Sequence, residues 1–180
     1  EAFARLPVEV DIASEFRYKN PIVSENTLVI AISQSGETLD TVAAVREVKQ
    51  KGSKVLAICN VRNSTLTREA DATIFLRAGP EISVCSTKAF TSQITVVSLL
   101  ALLMGRQRHL DKDEGHKFLI HLRELPSIVE QVLLLEPQIK AAAEKYANEA
   151  AADIFFIEFT DDHQANRNRS GGRDAHNHAS

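Results

Sequence analysis

The stretch "TLVIAISQSGETLDTVAAVREVKQKG" (residues 27–52) decides how this chain is read. Its first part, 27–33, is a nearly continuous apolar run, as expected of a parallel strand covered on both faces. Its last part places Leu39, Val42, Val45 and Val48 at three-residue steps and closes on Lys-Gln-Lys-Gly, the pattern of an amphipathic helix with a good stop. "SQSGET" (33–38) therefore occupies the turn at the strand's carboxyl end, where open α/β sheets bind their ligands. The helix start offers unpaired N–H groups and a partial positive charge, and Ser33, Ser35 and Thr38 add donors, so an anion fits there. Gly36 is expected to let the backbone approach such a ligand closely. The competing reading is an ordinary helix start capped by Ser35, with Glu37 and Asp40 complementing the dipole. Spacing alone leaves both open.

The same logic extends outward. "KVLAICN" (54–60) and "ATIFLRA" (72–78) are further apolar runs, while "VEVDIAS" (8–14) alternates as a half-exposed strand does. "STLTREAD" (64–71) reads as a short helix opened by Ser64. Residues 86 to about 108 are apolar on most sides and predict a long, largely buried helix. Two amphipathic helices follow, near 112–125 and from about 126 to 150, with Pro126 and Pro137 marking helix starts or breaks. Alternating strands and helices of this kind predict a doubly wound, flavodoxin-like α/β fold with a parallel sheet and helices on both faces.

Composition limits what such a fold could serve. With 180 residues, 44% of them hydrophobic, the chain has room for one domain with a real core. A net charge of -3 argues against nucleic acid and acidic membrane as partners, and no run of about 18 apolar residues suggests a span. Cys59 and Cys85 form neither a C-x-x-C pair nor a metal-ligand spacing, and "EAFARLPVEV" has no signal-peptide pattern, so a reduced, cytoplasmic protein is expected. The chain starts at Glu1 without a methionine, as a processed chain or an excised piece would. "ADIFFI" (152–157) reads as another strand, after which residues 158–180 lose nearly all large apolar side chains and predict a disordered tail. His163, His176 and His178 lie in that tail, and their spacing gives no metal site. No cofactor is called for.

A second hydroxyl cluster, "GPEISVCSTKAFTSQ" (79–93), follows the strand at 72–78 and opens the long helix. Ser86 is a natural N-cap, with Thr87 beside it. Lys88 is unexpected in a first helical turn, because the dipole disfavours a cation there; Glu81, a substrate anion or a neighbouring chain would be its partner. Two polar, helix-opening loops on one sheet edge suggest a single cleft.

"ISQSGETLDTVAAVREVKQKGSKVLAICNV" together with "AGPEISVCSTKAFTSQ" resembles the first sugar isomerase (SIS) domain of the glutamine–fructose-6-phosphate aminotransferase family, over roughly residues 6–157. "SQSGET" alone marks sugar-phosphate-binding SIS domains in general, and "EISVCSTKAFT" narrows the resemblance to the aminotransferases. The resemblance implies that Ser33, Gln34, Ser35 and Thr38 contact the phosphate of fructose 6-phosphate or glucosamine 6-phosphate, while Val84, through its backbone, and Ser86 line the sugar. It implies a homodimer in the full-length family member. Cys85 stands where the family tolerates a small residue, so neither it nor Cys59 is expected to act as a nucleophile.

The resemblance also implies what lies elsewhere. The family's glutaminase domain, the first SIS strand with its Gly-Thr-Ser turn, and the acid–base residues of the second SIS domain have no counterpart in these residues. Residues 1–151 then read as an incomplete first SIS domain, 152–157 as the first strand of a second, and 158–180 as a non-family tail. Such a piece is expected to bind hexose phosphate weakly at best and not to catalyse. A free-standing phosphosugar sensor and a single-domain sugar-phosphate isomerase are the alternatives. In the strand order 2-1-3-4-5, lacking the first strand predicts that residues 8–14 are displaced, unpaired, or paired through a substitute such as 152–157.

Overall fold

The three apolar runs at 27–33, 54–60 and 72–78 all form strands, and they pair side by side in one parallel sheet. The computed structural model describes residues 1–82 and 86–147. In chain order its elements are α1 (Ala13–Phe16), β1 (Leu28–Ser33), α2 (Leu39–Gln50), β2 (Lys54–Cys59), α3 (Thr65–Glu69), β3 (Ala72–Phe75), α4 (Lys88–Arg106), α5 (Lys112–Leu133) and α6 (Glu136–Ala147). The sheet order β1-β2-β3 reproduces positions 3-4-5 of the expected order. Its register sets Ser33 opposite Cys59 and Cys59 opposite Phe75, so the strands end in one row and their following turns emerge on one edge.

The described residues fall into two compact units: Pro7–Leu99, which holds the sheet, and Glu1–Leu6 together with residues 100–147. In the first, Val42, Val45 and Val48 of α2 pack with Ala31, Val55, Ala57 and Leu66 into the core. Leu39, read from the sequence as part of that stripe, is instead 67% exposed. The reason is geometric: three-residue steps slip around a helix, and nine residues at about 100° each put Leu39 roughly opposite Val48. Thr41 and Ala44 take the buried positions in its place. Asp71 fastens β2 to β3, accepting from the Val55 N–H at 2.9 Å while its own N–H donates to the Val55 carbonyl at 2.9 Å.

Residues 8–14 form no strand. Val8–Ile12 lack regular structure, and 13–16 turn into α1, whose Phe16 packs against the core. Val10 is 89% exposed, and among the described residues the sheet holds no strand from this segment, so the expected half-exposed strand does not form. The predicted strand at 152–157 and the tail at 158–180 lie outside the described residues.

α4 exists where the sequence predicts it, but it is not largely buried. Phe90, Ile94, Val97 and Leu99 are all more than a third exposed, because the helix makes no extensive contact with the three-stranded sheet. Among the described residues it is also the one helix long and apolar enough to cross a membrane, by length and composition, although Thr, Ser and Gln interrupt its apolar run.

In the second unit, Gly105 lets the end of α4 meet the Phe3 carbonyl, which a Cβ would approach to 2.5 Å. The Phe3 ring lies edge-on to Phe118 at 5.0 Å between centroids. Asp111 caps α5 by accepting from the Glu114 N–H at 2.8 Å. Pro126 neither starts nor breaks a helix: α5 runs through it. The ring removes the N–H that would donate to the Leu122 carbonyl, and the helix tolerates that one lost bond. Pro137 does sit at a helix start, the second residue of α6.

Candidate functional site

The aligned strand ends place three turns next to one another: 34–38 after β1, 60–64 after β2, and 76–82 after β3. The first is the hydroxyl-rich turn. Ser33 is buried, and its Oγ accepts from the Gly36 N–H at 3.0 Å; Ser35 Oγ accepts from the Glu37 N–H at 3.2 Å. Each serine thus shapes the turn with a lone pair and keeps its own O–H available to donate. Gln34, Ser35 and Thr38 are half-buried.

Ser35 does not cap α2. Thr38 holds the N-cap position without a side-chain bond to the helix, and the first intrahelical bond runs from the Val42 N–H to the Thr38 carbonyl at 3.0 Å. The amides of Leu39, Asp40 and Thr41 are left without partners among the described residues. The helix start is therefore open toward a ligand.

Glu37 serves another helix altogether. Its carboxylate accepts from the Thr65 N–H at 2.8 Å, and the Gly36 carbonyl accepts from the Leu66 N–H at 2.9 Å, so this turn caps α3. Hydrogen bonding from the Thr65 side chain and N–H, with the Arg68 charge adding, holds the Glu37 carboxyl below the usual carboxylate range. An acid tied to α3 opposes an anion at α2 less than the sequence suggests.

Gly36 is required by the protein's own packing. Its φ is +68°, and a Cβ would lie 2.2 Å from Ser64 Oγ and 2.7 Å from Cys59 Sγ. The close approach is to the protein's own next turn. Cys59 is fully buried with its sulfur 3.6 Å from Ser64 Oγ, which agrees with a core role.

The second expected loop lies at the same edge. Ser86 does not cap α4; its hydroxyl is buried and has no hydrogen-bond partner among the described residues. Glu81 performs the capping, its carboxylate accepting from the Thr87 N–H at 3.4 Å and the Ala89 N–H at 3.1 Å. The Lys88 ammonium lies beside Gly79 and forms no ion pair among the described residues. Val84 and Cys85 lie outside the described residues.

An open cavity of about 530 Å³ joins the two loops, with Gln34 on one side and Gly79, Pro80 and Glu81 on the other. Val61 and the polar residues Asn60, Arg62 and Arg77 complete its lining, and none of these three polar residues stands out in the sequence. Arg62 also lies over the Phe75 ring, 5.5 Å from its centroid. All three follow strand ends, which is the signal that would have found them. The residues at 33–38 are thus brought to one edge with the second loop, and two arginines add positive charge that the hydroxyl motif alone does not show. Among the described residues no cluster of His, Cys, Asp and Glu is suited to a metal ion.

Comparison with known proteins bears on this edge. The family model described as the SIS domain matches residues 1–103. A glutamine–fructose-6-phosphate aminotransferase (isomerizing) of Thermus thermophilus is 47% identical over 158 residues, covering 87% of this chain and 26% of that protein. The protein of the same name from Corynebacterium glutamicum is 49% identical over 158 residues, covering 87% and 25% respectively. The chain therefore spans about a quarter of the length of these relatives. Among solved structures, the C-terminal domain of glucosamine-fructose-6-phosphate aminotransferase from Francisella tularensis superposes with a TM-score of 0.76 at 36% identity, over 81% of this chain and 42% of that one.

Proposed function

The chain belongs to the SIS domain family, and on that premise we propose that it is the hexose-phosphate-binding part of an enzyme that makes glucosamine 6-phosphate from fructose 6-phosphate and glutamine. The observation that carries the reading is the meeting of the 33–38 turn and the loop before α4 at one sheet edge, beside a cavity lined by Gln34 of the first and Gly79, Pro80 and Glu81 of the second. At this edge Ser35 and Thr38, with the free amides at the start of α2, hold the phosphate, and Gln34 links them to the cavity. Ser33 shapes the turn and donates its remaining O–H. The buried Ser86 hydroxyl, which lacks a partner among the described residues, is satisfied by a sugar hydroxyl, and the Val84 backbone lines the same sugar.

Binding without turnover is the expected activity of these residues by themselves. Aldose–ketose chemistry needs a positioned acid and base, and the family resemblance assigns those to a second SIS domain. Residues 152–157 are taken as the start of that domain and 158–180 as sequence foreign to it. A cytoplasmic location and a homodimer in the longer protein complete the proposal.

The test is calorimetric titration of fructose 6-phosphate into the chain and into a Ser35→Ala/Thr38→Ala double variant. Loss of two or more phosphate hydrogen bonds weakens binding by at least about tenfold. Equal binding by the two proteins removes the cradle assignment.

A further inference from the structure

Between the two loops stands Asn60, the first residue after β2. Its N–H donates to the Gln34 carbonyl at 3.3 Å, tying it to the 33–38 turn. Its side chain turns to the other loop: Oδ1 accepts from the Ala78 N–H at 2.9 Å, and Nδ2 donates to the Gly79 carbonyl at 2.7 Å. Among the described residues no other side chain bonds to the backbone of 77–80.

That loop needs holding. Arg77 has φ +55° and Gly79 has φ +75°, and a non-glycine residue in the left-handed region persists only where its surroundings over-determine it. Glu81 follows two residues later and caps α4, so a shift at 78–79 carries the start of α4, and Ser86 with it. We propose that Asn60 is a positioning residue that sets the second loop, and hence the sugar side of the cleft, against the phosphate cradle. The proposal rests on the hexose-phosphate reading for its ligand, but the contact itself does not. Asparagine is suited to the task because a donor and an acceptor must sit side by side on one short arm. Aspartate keeps the acceptor but turns an oxygen toward the Gly79 carbonyl, and alanine removes both bonds.

The experiment compares two ligands on the 180-residue chain and its Asn60→Asp variant. Inorganic phosphate uses the cradle alone, whereas fructose 6-phosphate uses both loops. The proposal predicts that Asn60→Asp weakens fructose 6-phosphate by about tenfold or more while phosphate stays within about twofold. A parallel loss for both ligands makes Asn60 a general support of the fold and overturns the proposal, as does no loss for either. If the unsubstituted chain binds neither ligand, the hexose-phosphate reading fails, and amide exchange then decides on Asn60 by itself. Exchange of the Ala78 N–H that rises about tenfold or more in Asn60→Ala, with Leu66 N–H exchange unchanged, supports the positioning role. Unchanged Ala78 exchange overturns it.

Discussion

The two loops at the sheet edge solve the same local problem, how to begin a helix after a strand, in opposite ways. The 33–38 turn closes on itself and on its neighbour: Ser33 and Ser35 accept its own amides, while Gly36 and Glu37 cap α3. It leaves the start of α2 uncapped. The loop before α4 does the reverse. Its helix start is already occupied by Glu81, and its unmet group is a side chain, the Ser86 hydroxyl. One wall is thus a rigid turn with free backbone donors, suited to a spherical anion. The other is a loop held at a few points, presenting a hydroxyl, suited to the less symmetric remainder of a ligand.

Four changes break or sharpen this contrast. Gly36→Ala has the largest effect, because it combines a left-handed φ with collisions against Ser64 and Cys59; about 2–4 kcal/mol of stability is lost in urea unfolding. Leu66→Ala is nearly as severe, about 2–4 kcal/mol, since this fully buried side chain roots the turn's partner α3 in the core. Glu81→Ala, on the looser wall, removes only a helix cap and costs about 0.5–2 kcal/mol by the same measurement.

The smallest effect is in pH. Glu37 and Asp71 both have carboxyl groups held below the usual range, Asp71 by the Val55 N–H first and then by Lys49 and Lys54. A depressed folded-state pKa contributes stability above the unfolded value of about 4 and loses it as pH falls through the folded value. Urea midpoints therefore hold from neutrality down to about pH 4 and drop below it. Glu37→Gln makes that drop shallower while leaving the Asp71 share in place.

The sheet was legible because strands covered on both faces must be apolar without interruption, and the three runs satisfied that. The 8–14 segment misled because alternation reports a half-exposed pattern, not whether a partner strand is present. α4 misled in the same way: an apolar sequence states a need for burial, and the described residues leave much of that need unmet. At the site, the hydroxyl residues at 33–38 were visible as a cluster, but their bonding was not. Glu37 and Thr65 are 28 positions apart in sequence, and no local pattern joins them. The position of Asn60 after a strand end is a legible signal, but its role is not, since one asparagine there looks like any turn residue until both ends of its amide find the same loop.

Amide chemical shifts followed during titration with fructose 6-phosphate, and separately with inorganic phosphate, test the division between the walls most directly. Phosphate is expected to move Gly36, Glu37 and Leu39–Thr41 alone, and the sugar phosphate to move these together with Ala78, Gly79 and Ser86 at one common affinity. Shifts confined to other parts of the chain, or the same set of amides moving with both ligands, would contradict it.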